Sequence, residues 1–112
     1  MNRDNASLLD IARAARLVIE FVRGSDKAGF LSDVKTQSAV MHQLLVMGEA
    51  VKRLSDEFLE AHSEVPWSQA ARMRDKLIHG YDVIDLQEVW QTATTDVPEF
   101  LSAVEPLLPR QS

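Results

Sequence analysis

The stretch LLDIARAARLVIEFVRG, residues 8–24, shows the pattern on which the fold depends. Its apolar residues recur at intervals of three and four, which places them on one face of an α-helix. They are Leu8, Ile11, Ala12, Ala15, Val18, Ile19 and Val22. Gly24 follows as a helix terminator, and residues 23–29 are predicted to form a loop. The stretch therefore predicts an amphipathic helix with one buried face.

Helical spacing continues along most of the 112 residues, without an alternating strand pattern of useful length. A second helix is predicted at about residues 33–61, and a third at Trp67–His79, between Pro66 and Gly80. A fourth begins at Asp85. Pro98 either kinks this fourth helix or begins a fifth. The second is apolar on most sides, which predicts a place at the centre of a bundle or in a dimer interface. We therefore expect an all-α, up-and-down bundle of four to five helices, forming one domain over residues 1–112.

The composition excludes several classes of protein. With 46% hydrophobic and 26% charged residues, the chain is typical of a globular domain. Having no cysteine, it has no disulfide, Cys-ligated zinc or thiolate nucleophile. The net charge of −5 argues against a protein that coats DNA non-specifically, although it allows a small basic site. No membrane-spanning run or signal pattern is visible, so we expect a cytoplasmic protein without membrane association.

The three histidines do not form a recognisable metal motif. His42, His62 and His79 lack HExxH or other short ligand spacing, so we expect neither a metal nor another cofactor. His62 lies in a polar run and is expected to be solvated. His42 is expected to make a structural hydrogen bond.

The stretch RMRDKLIHGY, residues 72–81, combines basic groups with a titratable imidazole. On an ideal helix Arg74 falls within the apolar stripe formed by Met73 and Leu77. A guanidinium at such a position is costly unless it is paired or faces a wet cleft. Two explanations remain open: a structural pair with a carboxylate such as Glu49, and an anion-binding site.

His79 is displaced from Arg74 around the same helix by about 140°. The two side chains could converge if the backbone unwinds at the helix end, or if a second copy contributes across a two-fold axis. Asp75 precedes His79 by four residues and could accept a hydrogen bond from its ring. Arg72 and Lys76 lie on the His79 side and add positive charge.

The spacing Arg74-x4-His79-x-Tyr81 resembles the R-x4-H-x-Y motif of HEPN-domain proteins, specifically the HepT-like ribonuclease toxins. The resemblance extends over nearly the whole chain, in the family's order. It includes the opening stretch quoted above and the segments VMGEAVKRLSDEF (46–58), VPWSQAARMRDKLIHGY (65–81) and IDLQEVW (84–90). One departure is Asp75, because an asparagine often follows the motif arginine in the family.

The resemblance implies a HEPN fold, a homodimer with both motifs facing one composite cleft, and metal-independent cleavage of RNA. Arg74 and His79 would be catalytic, with Glu49, Arg72, Asp75 and Lys76 in supporting roles. Tyr81 matches the tyrosine to which a partner antitoxin, a minimal nucleotidyltransferase of the MntA type, adds AMP. The expected function is therefore an endoribonuclease toxin of a toxin–antitoxin pair that leaves cyclic 2′,3′-phosphate ends.

Two alternatives remain open at the level of sequence. One is a non-catalytic HEPN dimer that binds a nucleotidyltransferase or nucleotides. The other is a plain four-helix interaction protein in which a pair between Arg74 and Glu49 is structural.

Overall fold

The computed structural model describes residues 2–109, except for the side chain of Tyr81. Its helices are α1 (Arg3–Val22), α2 (Lys27–Leu31), α3 (Val34–Lys52), α4 (Asp56–Ala61), α5 (Trp67–His79), α6 (Leu86–Gln91) and α7 (Val97–Val104). A π-helical turn, Thr92–Asp96, joins α6 to α7, and short 3-10 turns cover Tyr81–Val83 and Glu105–Leu107. The prediction of an all-α bundle is confirmed, because every regular element in residues 2–109 is helical.

Helix α1 packs against α3 and α7, and α3 packs against α5. Helix α7 also meets α5, because the ring centroids of Trp67 and Phe100 are 5.8 Å apart. Side chains cap the starts of α1 and α3: Asn2 accepts a 2.7 Å hydrogen bond from the Asn5 amide, and Asp33 accepts one of 3.1 Å from Thr36. The apolar face predicted for α1 is buried. Helix α3 lies between α1 and α5, which agrees with the central position expected from its apolar residues. No helix within residues 2–109 is long and apolar enough to cross a bilayer.

The prediction of one continuous helix over about residues 33–61 is wrong. Helix α3 ends at Lys52, and α4 begins after Ser55, whose hydroxyl accepts a hydrogen bond from the Phe58 amide. Asp4 in α1 holds this break in place by accepting 2.8 Å hydrogen bonds from both the amide and the hydroxyl of Ser55. The chain turns here because serine satisfies the exposed amides of a new helix, even though the apolar pattern continues.

The predicted loop over residues 23–29 is also too long. Asp26 caps α2 by accepting a 2.7 Å hydrogen bond from the Gly29 amide, so the helix begins at Lys27. The short helix positions Phe30, which is fully buried and packs with its ring centroid 5.3 Å from that of Trp90. Burial of one large aromatic side chain stabilises a helix too short to be stable alone.

The bounds of α5 agree with the sequence prediction, beginning at Trp67 and ending at His79 before Gly80. Of the two alternatives for Pro98, the structure favours the start of a further helix, because Pro98 lies in the first turn of α7 (Val97–Val104). The backbone stays helical from α6 into α7, and the Val97 amide donates to the Thr92 carbonyl across the wider π turn. Proline lacks the amide that a regular α-helix would use here, so the helix accommodates Pro98 by widening just before it.

Candidate functional site

The candidate site is built where α5 crosses α3, at Gly48. An added Cβ at Gly48 would collide with the Cβ of Arg74 and would lie 2.8 Å from the carbonyl oxygen of Ala70. Only glycine leaves room for this approach, because it has no side chain. The stem of Arg74 therefore lies directly against the backbone of α3.

Arg74 is held by carboxylates on two sides. Its Nε and Nη2 donate hydrogen bonds of 3.1 Å and 2.9 Å to Oε1 of Glu49, and Nη1 donates one of 3.0 Å to Oδ1 of Asp75. These bonds use three of the five N–H donors of a guanidinium, leaving one on each terminal nitrogen. The side chain is 20% exposed. The guanidinium is thus fixed in position while its outer edge can still bind an anion.

Asp75 links this arginine to a second cation. Its Oδ1 also accepts a 2.8 Å hydrogen bond from Nζ of Lys52 on α3. The hydrogen bonds from Lys52 and Arg74 hold the pKa of the Asp75 carboxyl below its ordinary value. Glu49, followed by Asp75, raises the pKa of the Arg74 guanidinium. Two cations and two carboxylates therefore form one hydrogen-bonded network.

The network differs from expectation in two residues. Asp75 binds Lys52 and Arg74, and no hydrogen bond joins it to His79 within the part of the chain that the structure describes. Lys52 was missed as a member of the site. The available signal was its spacing, because Lys52 follows Glu49 by three residues and so lies on the same side of its helix.

His79 is exposed at the last position of α5, away from the Arg74 network. Within one chain the described contacts do not bring Arg74 and His79 together, which agrees with their angular separation on an ideal helix. Tyr81 begins the 3-10 turn after Gly80. The role expected for its side chain lies outside the part of the chain that the structure describes.

Arg72, Lys76 and His79 form an exposed row along α5, which we call the basic row. Lys76 follows Arg72 by four residues and His79 follows Lys76 by three, which is the spacing of neighbours on one helical face. Lys76 donates a 2.6 Å hydrogen bond to Oε1 of Glu88 on α6, so it is partly neutralised. Arg72 and Lys76 thus lie on the same side of α5 as His79, and the pairing of Lys76 with Glu88 was not predicted.

The other histidines lie apart from these residues. His42 is exposed, and no side-chain hydrogen bond of the kind expected for it is found among residues 2–109. His62 is half-buried, with its ring centroid 4.5 Å from that of Phe58, so it is less solvated than expected. Across the described residues, no group of three or more His, Asp or Glu side chains is arranged to hold a metal ion.

Comparison with known proteins identifies the family. The chain matches the family model described as "Ribonuclease HepT-like" over residues 11–107. It is 43% identical over 108 residues to a Thermococcus cleftensis protein named as probable ribonuclease HepT, covering 96% of this chain and 98% of the relative. No solved structure matches the chain.

Two further relatives carry the name of RNase. One, from Methanocaldococcus jannaschii, is 39% identical over 103 residues, covering 92% of this chain and 85% of the relative. The other, from Caldanaerobacter subterraneus, is 38% identical over 101 residues, covering 90% of each chain. The resemblance seen in the sequence motif is confirmed: the chain belongs to the HepT-like ribonuclease family.

Proposed function

We propose that the protein is a metal-independent endoribonuclease whose active site is completed by two copies of the chain, and that it acts as the toxin of a toxin–antitoxin pair. The observation that carries this proposal is the guanidinium of Arg74, held by Glu49 and Asp75 with one N–H free on each terminal nitrogen. A preorganised guanidinium stabilises the negative charge that develops at a phosphorus centre under attack.

The reaction uses a nucleophile that RNA itself contains. His79, as neutral imidazole, removes the proton of a ribose 2′-OH, because histidine is the side chain that most often acts as a general base. The 2′ oxygen attacks the adjacent phosphorus, the bond from phosphorus to the 5′ oxygen breaks, and the departing oxygen takes up a proton from water. The imidazolium of His79 then returns its proton to the solvent. The products are a cyclic 2′,3′-phosphate and a 5′-hydroxyl. DNA, which lacks the 2′-OH, would not be cleaved.

A second copy of the chain would bring the required groups into one cleft. Arg74 and His79 point in different directions on α5, so the site needs a partner to complete it. Two apolar side chains on either side of His79 support this arrangement, because Ile78 is 41% exposed and Val83 is 80% exposed. An interface between copies at this end of α5 would cover both.

His79→Ala is the direct test of the nuclease. We expect cleavage of single-stranded RNA to fall at least about a hundredfold, the usual contribution of a general base. Because His79 is exposed, the melting temperature should change little. The matched control is His42→Ala, which removes an exposed histidine of α3 that is not part of the basic row and should retain activity. Undiminished cleavage by His79→Ala would refute the assignment.

Tyr81 is the proposed site of neutralisation. A minimal nucleotidyltransferase partner would catalyse attack of the phenolic oxygen on the α-phosphorus of ATP, releasing pyrophosphate and leaving AMP on the tyrosine. The added phosphate would compete with RNA for Arg74 and abolish cleavage. Partner enzyme and ATP should add the mass of AMP to the wild-type chain and none to Tyr81→Phe. Equal addition to both proteins, or to neither, would contradict this regulation.

The same network favours a second candidate function. The charges of Glu49 and Asp75 offset those of Arg74 and Lys52, which would weaken an electrostatic attraction for RNA. The candidate is a non-catalytic HEPN dimer that binds a nucleotidyltransferase or nucleotides. Absence of RNA cleavage by the dimeric wild-type protein, together with binding of such a partner, would favour it.

A further inference from the structure

A groove of about 340 Å³ lies on another face of α5, between this helix and α6–α7. We call it the side groove. Helix α5 contributes residues at intervals of three and four, namely Gln69, Arg72, Met73 and Lys76, so one helical face lines it. Its volume lies at the lower end of the range for small-molecule sites, which suits a single ring system.

The floor of the side groove is apolar and suited to a flat ring. Met47 and Phe100 form part of it and are nearly fully buried, at 3% and 4% exposure, and Met73, which is half-buried, also lines it. Thioether sulfurs and aromatic rings both make favourable contacts with π systems. An aliphatic chain could also contact this floor, so the polar rim decides the class of ligand.

The rim carries groups that match the edge of a nucleobase. Gln69 and Gln91 are exposed amides, and Asp96 is a half-buried carboxylate at the same groove. A glutamine can both donate to and accept from a base edge, and a carboxylate accepts from an exocyclic amine. Adenine, cytosine and guanine carry such an amine, whereas uracil does not.

The π turn that accommodates Pro98 also helps to shape the side groove. Thr92 and Asp96, its first and last residues, both line the side groove. A π turn is rare and occurs frequently at functional sites. Here it widens the helix where it faces α5, and so shapes one wall of the groove.

The mouth of the side groove joins the basic row. Arg72 and Lys76 line the groove together with Glu88, which pairs with Lys76, and His79 continues the row toward the end of α5. Arg72 and His79 are about 10 Å apart along the helix axis, as seven residues at 1.5 Å each require. A strand whose phosphates contact this row could place a neighbouring base in the groove.

We infer that the side groove receives one unpaired nucleobase of the RNA, next to the linkage that is cleaved, and prefers bases with an exocyclic amine. This inference rests on RNA being the substrate, as proposed above. The basic row would hold the phosphates, and the groove would read the base. The side groove would thereby contribute to the choice of cleavage site.

Binding of uncleavable 2′-O-methyl RNA, followed by fluorescence anisotropy, tests the inference separately from catalysis. Oligo(A) should bind the wild-type protein at least about fivefold more tightly than an abasic strand of equal length and charge, because base stacking and burial add to phosphate contacts. Gln69→Trp, which fills the groove from its rim, should abolish this difference. Ser102→Trp places the same new side chain on an exposed face of α7 and should preserve the difference.

Asp96→Asn provides a second variant that leaves the groove open. It should reduce the preference for oligo(A) over oligo(U). A carboxylate can only accept a hydrogen bond from the base, whereas an asparagine amide can also donate one to a carbonyl oxygen of uracil. Equal affinity for the abasic strand, no binding of any strand, or an unchanged preference in both Gln69→Trp and Asp96→Asn would overturn the inference. Cleavage of unmodified RNA by the wild type is measured in parallel. If the wild type cleaves RNA but binds all strands equally, only the inference about the side groove is refuted. If it prefers oligo(A) in binding but does not cleave RNA, only the proposed nuclease activity is refuted.

Discussion

At the scale of single residues, the central relationship is between Arg74 and the carboxylates that orient it. Glu49 accepts two hydrogen bonds from the guanidinium and is itself about 40% exposed. Water reaches the Glu49 side of this ion pair and screens it, so its contribution to stability is small. Its larger consequence is geometric, since it determines which edge of Arg74 remains free. We therefore regard Glu49 as a positioning residue.

Glu49→Ala should consequently affect cleavage more than folding. We expect kcat to fall by about tenfold, since one positioning contact of about 1.4 kcal/mol corresponds to that factor, while KM and the melting temperature change little. Glu49→Gln, which can still accept a hydrogen bond from Arg74, should recover part of the loss. Asp10→Ala removes another exposed ion pair, with Arg53, and serves as the matched control. A large drop in melting temperature with no change in kcat would identify the pair as structural.

At the scale of elements, the crossing of α3 and α5 determines where Arg74 lies. The contact at Gly48 is tight because the backbone of α3 faces both the stem of Arg74 and the carbonyl of Ala70. Glu49 and Lys52, on the same helix, then reach Arg74 and Asp75. One close helix crossing therefore assembles the whole charged network.

Gly48→Ala should separate the two helices. We expect a loss of about 1–3 kcal/mol in the free energy of unfolding, as for other overpacked cores, together with reduced RNA cleavage. Chemical denaturation measures the first effect and a cleavage assay the second. Gly29→Ala is the control, because its added Cβ would meet only the Asp26 carboxylate at 3.1 Å. Similar losses of stability and cleavage in both variants would show that these losses do not come from the close approach of the two helices at Gly48.

At the scale of the whole molecule, the separation of Arg74 from His79 has a consequence for assembly. A composite cleft predicts that Arg74 of one copy acts with His79 of another. Mixing Arg74→Ala protein with His79→Ala protein should then restore activity in mixed dimers. Random pairing makes half of the dimers mixed, with one of two Arg–His combinations intact, so recovery should reach about a quarter of the wild-type rate.

This complementation is measured after unfolding and refolding the two variants together, with different affinity tags to isolate mixed dimers. Each variant refolded alone is the control and should stay inactive. Inactive mixed dimers would contradict a site shared between copies. Failure to isolate any dimer of the wild-type chain would contradict the assembly itself.

The sequence by itself determined the helical class, the bounds of α5 and the residues of the Arg–His–Tyr motif. These depend on local properties, namely the period of apolar residues, a proline before the helix and a glycine after it. The motif residues needed no structure, because their spacing along the chain already matched the family.

Only the tertiary structure decided what surrounds Arg74 and where the second predicted helix ends. Lys52 meets Asp75 across 23 residues, and Asp4 meets Ser55 across 51 residues. Such contacts depend on how helices cross, which the period of apolar residues does not specify. The same reason applies to the side groove, whose walls come from α5 and from a π turn that the pattern around Pro98 did not predict. Local periodicity determines helices, whereas packing determines which side chains meet.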